Sequence, residues 1–154
     1  MLRSLLIGLV AGQRAMTPLV LLSGAAQRGT LPRGGPAVEL LAHPLVAWGT
    51  AALAAGEMAG DKMRSAPDRT VPAGLIARSL TAAFAGAMLA PRGRQGEGAI
   101  LAVATAIGAS YLGLALRRRA MARYGQSSSG FVEDAIVLAS GAAVVGLTSA
   151  GRRG

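Results

Sequence analysis

The chain has 154 residues, of which 52% are hydrophobic, 15% charged and 3% aromatic, with twenty-two glycines and no cysteine. A soluble domain of this size carries about 25% charged residues, so the deficit points to a membrane, and the missing cysteine excludes disulfides, thiolate metal sites and cysteine nucleophiles. A net charge of +9 would suggest nucleic acid in a soluble chain. Here the arginines fall mainly between apolar stretches and few aromatics are available to stack on bases, so no nucleic-acid partner is expected and the charges read as anchors at a lipid bilayer.

Five apolar segments follow one another, each near the roughly 17–25 residues that cross a bilayer as a helix. The first, residues 4–26, is interrupted by Gly12-Gln13-Arg14 and by Thr17-Pro18. It reads either as a secretory signal peptide or as a retained, discontinuous helix, and Arg14 in the middle of the apolar run favours retention. The second, residues 40–60, has His43-Pro44 near its start, where proline is tolerated in a first turn, and Glu57 and Asp61 at its end. The third, residues 72–91, carries Arg78 in an otherwise apolar run. The fourth, residues 98–116, is free of charge and stops at Arg117-Arg118-Arg119. The fifth, residues 131–150, places Glu133 and Asp134 in its first turn, where the helix dipole favours acids.

Short connections rich in Gly, Pro, Ser or Arg leave no room for a second domain, and no alternating pattern suggests barrel strands. The expected fold is all-α: a single polytopic helical bundle of about five membrane segments over residues 1–154, the first segment discontinuous. Five crossings put Arg3, Lys62, Arg64, Arg69, Arg117, Arg118, Arg119 and Arg123 on the side of the N-terminus. Arg28, Arg33, Arg92, Arg94, Arg152 and Arg153 fall on the other, and eight against six leans toward a cytoplasmic N-terminus. Glu57, Asp61, Glu133 and Asp134 then share one leaflet.

These charges form the candidate site. Glu57 and Asp61 lie one turn apart on one helix face, at a C-terminus whose dipole disfavours carboxylates by about 0.3–1 kcal/mol. Something must offset that, with Lys62, Arg64, Arg14 or Arg78 as candidates. The cluster reads as a structural ion-pair set or as a cation or proton site, because ionisable groups at membrane depth are costly and mark pathways. Four converging carboxylates could hold a divalent cation through oxygen; Glu133 and Asp134 are also explained by capping alone. Arg14 and Arg78 must face protein or a wet cavity. Gly8 and Gly12, and again Gly56 and Gly60, have the small-xxx-small spacing that brings helix backbones together. His43, the lone histidine, makes no metal site by itself, and Trp48 and Tyr111 read as space-filling.

Gly12-Gln13-Arg14-Ala15-Met16-Thr17-Pro18, Glu57-Met58-Ala59-Gly60-Asp61-Lys62, Pro67-Asp68-Arg69, Arg78 and Val132-Glu133-Asp134 together resemble a bacterial membrane family, domain of unknown function four-one-two-six. The resemblance covers almost the whole chain through G-x-R, E-x-x-x-D-K and E-D elements in order. It implies a small polytopic protein of the bacterial inner membrane with no activity attached, and groups Arg14, Glu57, Asp61, Lys62, Arg78, Glu133 and Asp134 in one pattern. Gly130 departs from it, standing where the family has a serine three residues before the acid, which weakens a capping box.

No H-E-x-x-H, G-x-S-x-G or G-x-x-x-x-G-K is present, and Met58-Ala59-Gly60-Asp61 lacks the first glycine of the intramembrane aspartyl protease run. Neither an enzyme nor a cofactor is expected. The function expected is cation or proton binding or translocation through the Glu/Asp/Arg cluster, in a homo-oligomer because five short helices enclose little volume. The alternative is a non-transporting scaffold or assembly protein in which the cluster only stabilises the bundle.

Overall fold

A computed structural model describes residues 1–31, 36–60, 71–124 and 126–150, with side chains for all of these except 36, 124, 126–129 and 147–150. The described residues form seven helices and no strand: α1 (Leu2–Gln13), α2 (Thr17–Gln27), α3 (Pro36–Ala42), α4 (Pro44–Gly60), α5 (Pro72–Leu89), α6 (Gln95–Tyr124) and α7 (Gln126–Ala150). Two of them, α5 and α6 over Gln95–Arg123, are long and apolar enough to cross a membrane. About five such segments were expected; the fold class is helical, as the composition implied.

The innermost layer is α1, α5 and α6, packed through small residues. α6 turns a stripe inward that runs Gly98, Ala102, Ala106, Ser110, Gly113 and Arg117, all buried and spaced three or four apart as one helix face requires. A Cβ on Gly12 would lie 2.5 Å from the Ala106 carbonyl oxygen and 2.6 Å from Ala109 Cβ, and one on Gly8 would overlap Thr105 and Ala102. Gly86 of α5 and Gly98 of α6 meet with as little room. Side-chain hydroxyls sew the seam to backbone: Ser4 donates to the Gly86 carbonyl at 2.9 Å and Ser110 to the Gly12 carbonyl at 3.0 Å. The other glycine pair behaves differently from the expected packing role: among the described residues an added Cβ at Gly56 or Gly60 would meet nothing within 4 Å. The buried stripe of α4 is instead Thr50 and Ala54, with half-buried Glu57.

The first segment is interrupted where its sequence suggests. Proline at 18 cannot donate to the Arg14 carbonyl and would clash with it in a continuous helix; the chain escapes at Arg14, extended at φ −142°, ψ 116°, and Pro18 re-enters in the first turn of α2. The two halves do not continue one another: the expected discontinuous segment, residues 4–26, is two separate helices. Val10 Cγ1 (3.4 Å) and Leu21 Cδ1 both crowd the position a Cβ on Gly141 would take, whereas a straight helix would separate residues 10 and 21 by about 16 Å. α1 and α2 are therefore a hairpin with its tip at residues 14–16. α2 ends in a Schellman turn, in which Gly29 at φ 64° lets the Thr30 N–H reach the Ala25 carbonyl at 3.0 Å.

Three helices meet this hairpin. α6 runs parallel to α1, since Ser4 lies at Gly98, Gly8 at Ala102 and Gln13 at Gly113. α4 runs antiparallel to α2: its Glu57 reaches the tip, while Ser23 donates to the carbonyl of Leu41, just before α4 begins. α7 is antiparallel to α1, bringing Asp134 to the tip and Gly141 to Val10.

Beside an apolar core, the described residues bury an unusual set of polar groups and expose many large apolar side chains. Buried polar groups include Ser4, Arg14, Thr17, Ser23, Thr50, Arg78, Thr81, Ser110, Arg117 and Asp134, and among the described residues ten of the nineteen buried apolar side chains are alanine. The large apolar side chains point outward, among them Leu45 (75% exposed), Trp48 (77%), Leu80, Ile100 (73%), Leu112, Phe131 and Ile136.

Candidate functional site at the hairpin tip

Breaking a helix leaves backbone N–H groups without partners at the start of the second half. At this tip the two N–H groups immediately before α2 are both taken by one carboxylate: Ala15 N–H donates to Glu57 Oε1 at 2.7 Å and Met16 N–H to Oε2 at 2.9 Å. The sequence posed the question of what offsets the dipole penalty on an acid at the C-terminus of α4. For Glu57 the answer is the positive N-terminal end of α2, which favours a carboxylate by the same mechanism. Of the basic candidates, Arg14 and Arg78 do not bond to it, and Lys62 and Arg64 lie outside the described residues. Asp61 and Lys62, the remaining members of that motif, lie outside the described residues.

The Arg14 side chain leaves the tip in the other direction. Its Nε and Nη2 both donate to Asp134 Oδ1, at 2.9 and 2.6 Å, with Arg14 only 1% exposed and Asp134 7%. One turn further along α6 from Gly113, Arg117 reaches Glu133 Oε2 at 3.4 Å. Glu133 and Asp134 thus serve as partners for two arginines. They do not cap α7, which starts at Gln126 and has no acid in its first turn; the capping explanation is corrected by the helix beginning about one and a half turns earlier than expected. Arg78 is buried (8% exposed) on the face of α5 that also carries Thr81, Ala82, Ala85 and Gly86. His43 is exposed and its Nδ1 accepts the Leu45 N–H at 3.3 Å, a local cap on α4.

Glu57, Asp134 and Glu133 therefore do gather at one end of the bundle, as their shared leaflet implied, but each on its own donors. Among the described residues no three histidine or acidic side chains come together as metal ligands, so the divalent-cation version of the site gains no ligand set there. Thr17, the first residue of α2, is fully buried, and its Oγ1 has no hydrogen-bond partner among the described residues.

In the sequence, Arg117 reads as the charged stop of the fourth apolar segment. A usable clue was present: the small-residue stripe on α6 continues at helical spacing from Gly98 to Gly113 and lands on Arg117, which puts that arginine on the inward face. Gln13, whose Nε2 bonds the Ala109 carbonyl at 2.9 Å, was missed for want of any such pattern. Compared with known proteins, the chain matches no family model, no curated protein and no solved structure. The functional reading rests on the geometry of the tip.

Proposed function

We propose that the chain is a small integral membrane protein in which α4 to α7 cross the bilayer, the α1–α2 hairpin is re-entrant, and Glu57 at the hairpin tip binds and releases a proton or a monovalent cation. The outward Leu, Ile, Phe and Trp and the buried charges support the membrane setting: lipid would solvate the former, and the bundle interior shelters the latter. Irregular backbone at membrane depth is tolerated only inside protein or beside a cavity, and broken helices in transporters use their free termini to hold ions.

The observation that carries the assignment to Glu57 is the neutrality of its donors. Protonating Asp134 would strand the Arg14 guanidinium in the interior, at a cost of several kcal/mol. Among the described residues, protonating Glu57 strands no cation: two N–H groups lose a charged acceptor. Thr17 Oγ1, one residue past Met16, offers a hydroxyl that an incoming cation or proton carrier would satisfy. In liposomes loaded with a pH-sensitive dye, Glu57→Gln should abolish protein-dependent proton flux. Glutamine keeps an acceptor for the tip but takes up no proton, so equal flux through both proteins would remove this reading.

The scaffold reading has its own support in the Arg14–Asp134 and Arg117–Glu133 pairs, each of which ties α7 to the rest of the bundle. We assign these two pairs a fastening role and reserve the exchangeable role for Glu57. The hairpin also changes the charge count across the membrane. It moves Arg3 to the far side from Lys62 and Arg117, which turns eight against six into seven against seven and removes the bias toward a cytoplasmic N-terminus.

A further inference from the structure

Among the described residues, Thr17 is fully buried and its Oγ1 has no hydrogen-bond partner; a buried hydroxyl left unpaired is costly and calls for an explanation. Its position supplies one. Thr17 opens α2, and because Cα–Cβ bonds tilt toward a helix's N-terminus, its hydroxyl is carried toward the turn at residues 14–16. There the Glu57 carboxylate holds the N–H groups of Ala15 and Met16. Thr17 follows directly on Met16, so the hydroxyl and Glu57 Oε2 sit against adjacent residues.

We propose that the cation exchanged at the tip is the proton, and that Thr17 Oγ1 accepts the hydrogen bond of Glu57 in its protonated form. The inference rests on the assignment of exchange to Glu57 above and narrows it. An ionised carboxylate only accepts, and the two N–H groups suffice for it. A protonated one has an O–H to place, and Thr17 Oγ1 is free to take it. In the transfer, a hydronium ion gives its proton to Oε2 and leaves as water; the new O–H donates to Thr17 Oγ1, while Oε1 keeps the Ala15 N–H. A metal ion is served less well. It needs several oxygens around it, whereas both Glu57 oxygens and the carbonyls of Gly12 and Met16 already accept hydrogen bonds. The positive end of α2 also repels it, and the closed packing around Thr17 leaves it no volume. Of the other charged groups, Arg14 of the turn, Arg117 of α6, and Glu133 and Asp134 of α7 are paired with one another. α5, packed on α2, carries Arg78, while Arg28 and Glu39 lie at the far end of α2 and α4.

The test uses the full chain in liposomes, with dye-reported proton flux and with the infrared C=O band of a protonated carboxyl in pH-difference spectra. Flux should follow the proton gradient and be indifferent to replacing sodium or potassium by a large organic cation. The carboxyl band should be present in the wild-type protein and absent in Glu57→Gln. In Thr17→Val, which removes the hydroxyl at nearly the same shape, the band should move to higher frequency, as a carboxyl C=O does when its O–H is unbonded. It should also need about fivefold more protons to half-form, the worth of one neutral hydrogen bond. Thr17→Ser, which keeps the hydroxyl, should match the wild type. An unchanged band in Thr17→Val would overturn the role of Thr17, and Thr17→Ala gives the same comparison if the valine variant does not fold. Wild-type flux that requires sodium or potassium would overturn the proton as the exchanged cation. Flux surviving in Glu57→Gln would instead remove the underlying assignment to Glu57.

Discussion

The two ends of α1 are held by different physics. From Ser4 to Gly12 the helix is continuous, its own backbone groups are satisfied, and its neighbours need only be small: Gly86, Gly98, Ala102 and Ala106 let the backbones approach until hydroxyls can reach carbonyls. From Arg14 to Met16 the helix is broken, and its neighbours must be charged. α4 supplies a carboxylate for the exposed N–H groups, and α7 supplies another for the arginine that the turn leaves inside. Regular backbone asks its surroundings for space, whereas interrupted backbone asks for specific partners.

The largest effect should come from the tip. Asp134→Ala leaves Arg14 buried without its carboxylate and should lower stability by about 3–5 kcal/mol, read as thermal unfolding in detergent. Arg14→Met combined with Asp134→Leu should recover most of that loss; additive losses instead would mean the two residues are not coupled. At the seam the expected damage is steric. Gly12→Val should cost about 1–3 kcal/mol through overpacking against Ala106 and Ala109, while Gly56→Ala, with open space around it, should be neutral or stabilise α4 by up to about 1 kcal/mol. Equal penalties at the two glycines would erase the distinction between them. The mildest change is Glu133→Gln, which weakens a 3.4 Å, partly exposed contact to Arg117 and should cost about 1 kcal/mol or less; a loss matching that of Asp134→Ala would make both pairs equally responsible for holding α7.

Much of this contrast was legible in the sequence. The Gly12-Gln13-Arg14 run followed by Pro18 announces a break, because proline's missing donor and fixed ring are local properties. The Gly8–Gly12 spacing announces close packing, and the burial cost of ionised groups announces that Arg14, Glu57 and Asp134 find partners inside protein. What was not legible depends on tertiary arrangement. The direction in which α2 leaves the turn is decided by contacts such as Leu21 with Gly141, which lie 120 residues apart in the sequence. The partner of each charge follows from that fold-back: once α2 doubles back, its N-terminal end faces Glu57, and a backbone partner replaces the basic side chain that residue types alone suggested. Gly56 and Gly60 share the motif of Gly8 and Gly12 but lie on the outward side of a peripheral helix, and a four-residue spacing carries no information about which side that is.

The central claim is that α1 and α2 enter and leave the bilayer by one side, and site-directed labelling tests it most directly because the natural chain has no cysteine to give background. Single cysteines at Leu2, Gln27 and Ala122, all exposed positions, would be treated with a membrane-impermeant maleimide in sealed vesicles of one orientation. The account predicts that Leu2→Cys and Gln27→Cys react from the same side and Ala122→Cys from the opposite one. Labelling of Leu2→Cys and Gln27→Cys from opposite sides would contradict it and restore a first segment that crosses the membrane.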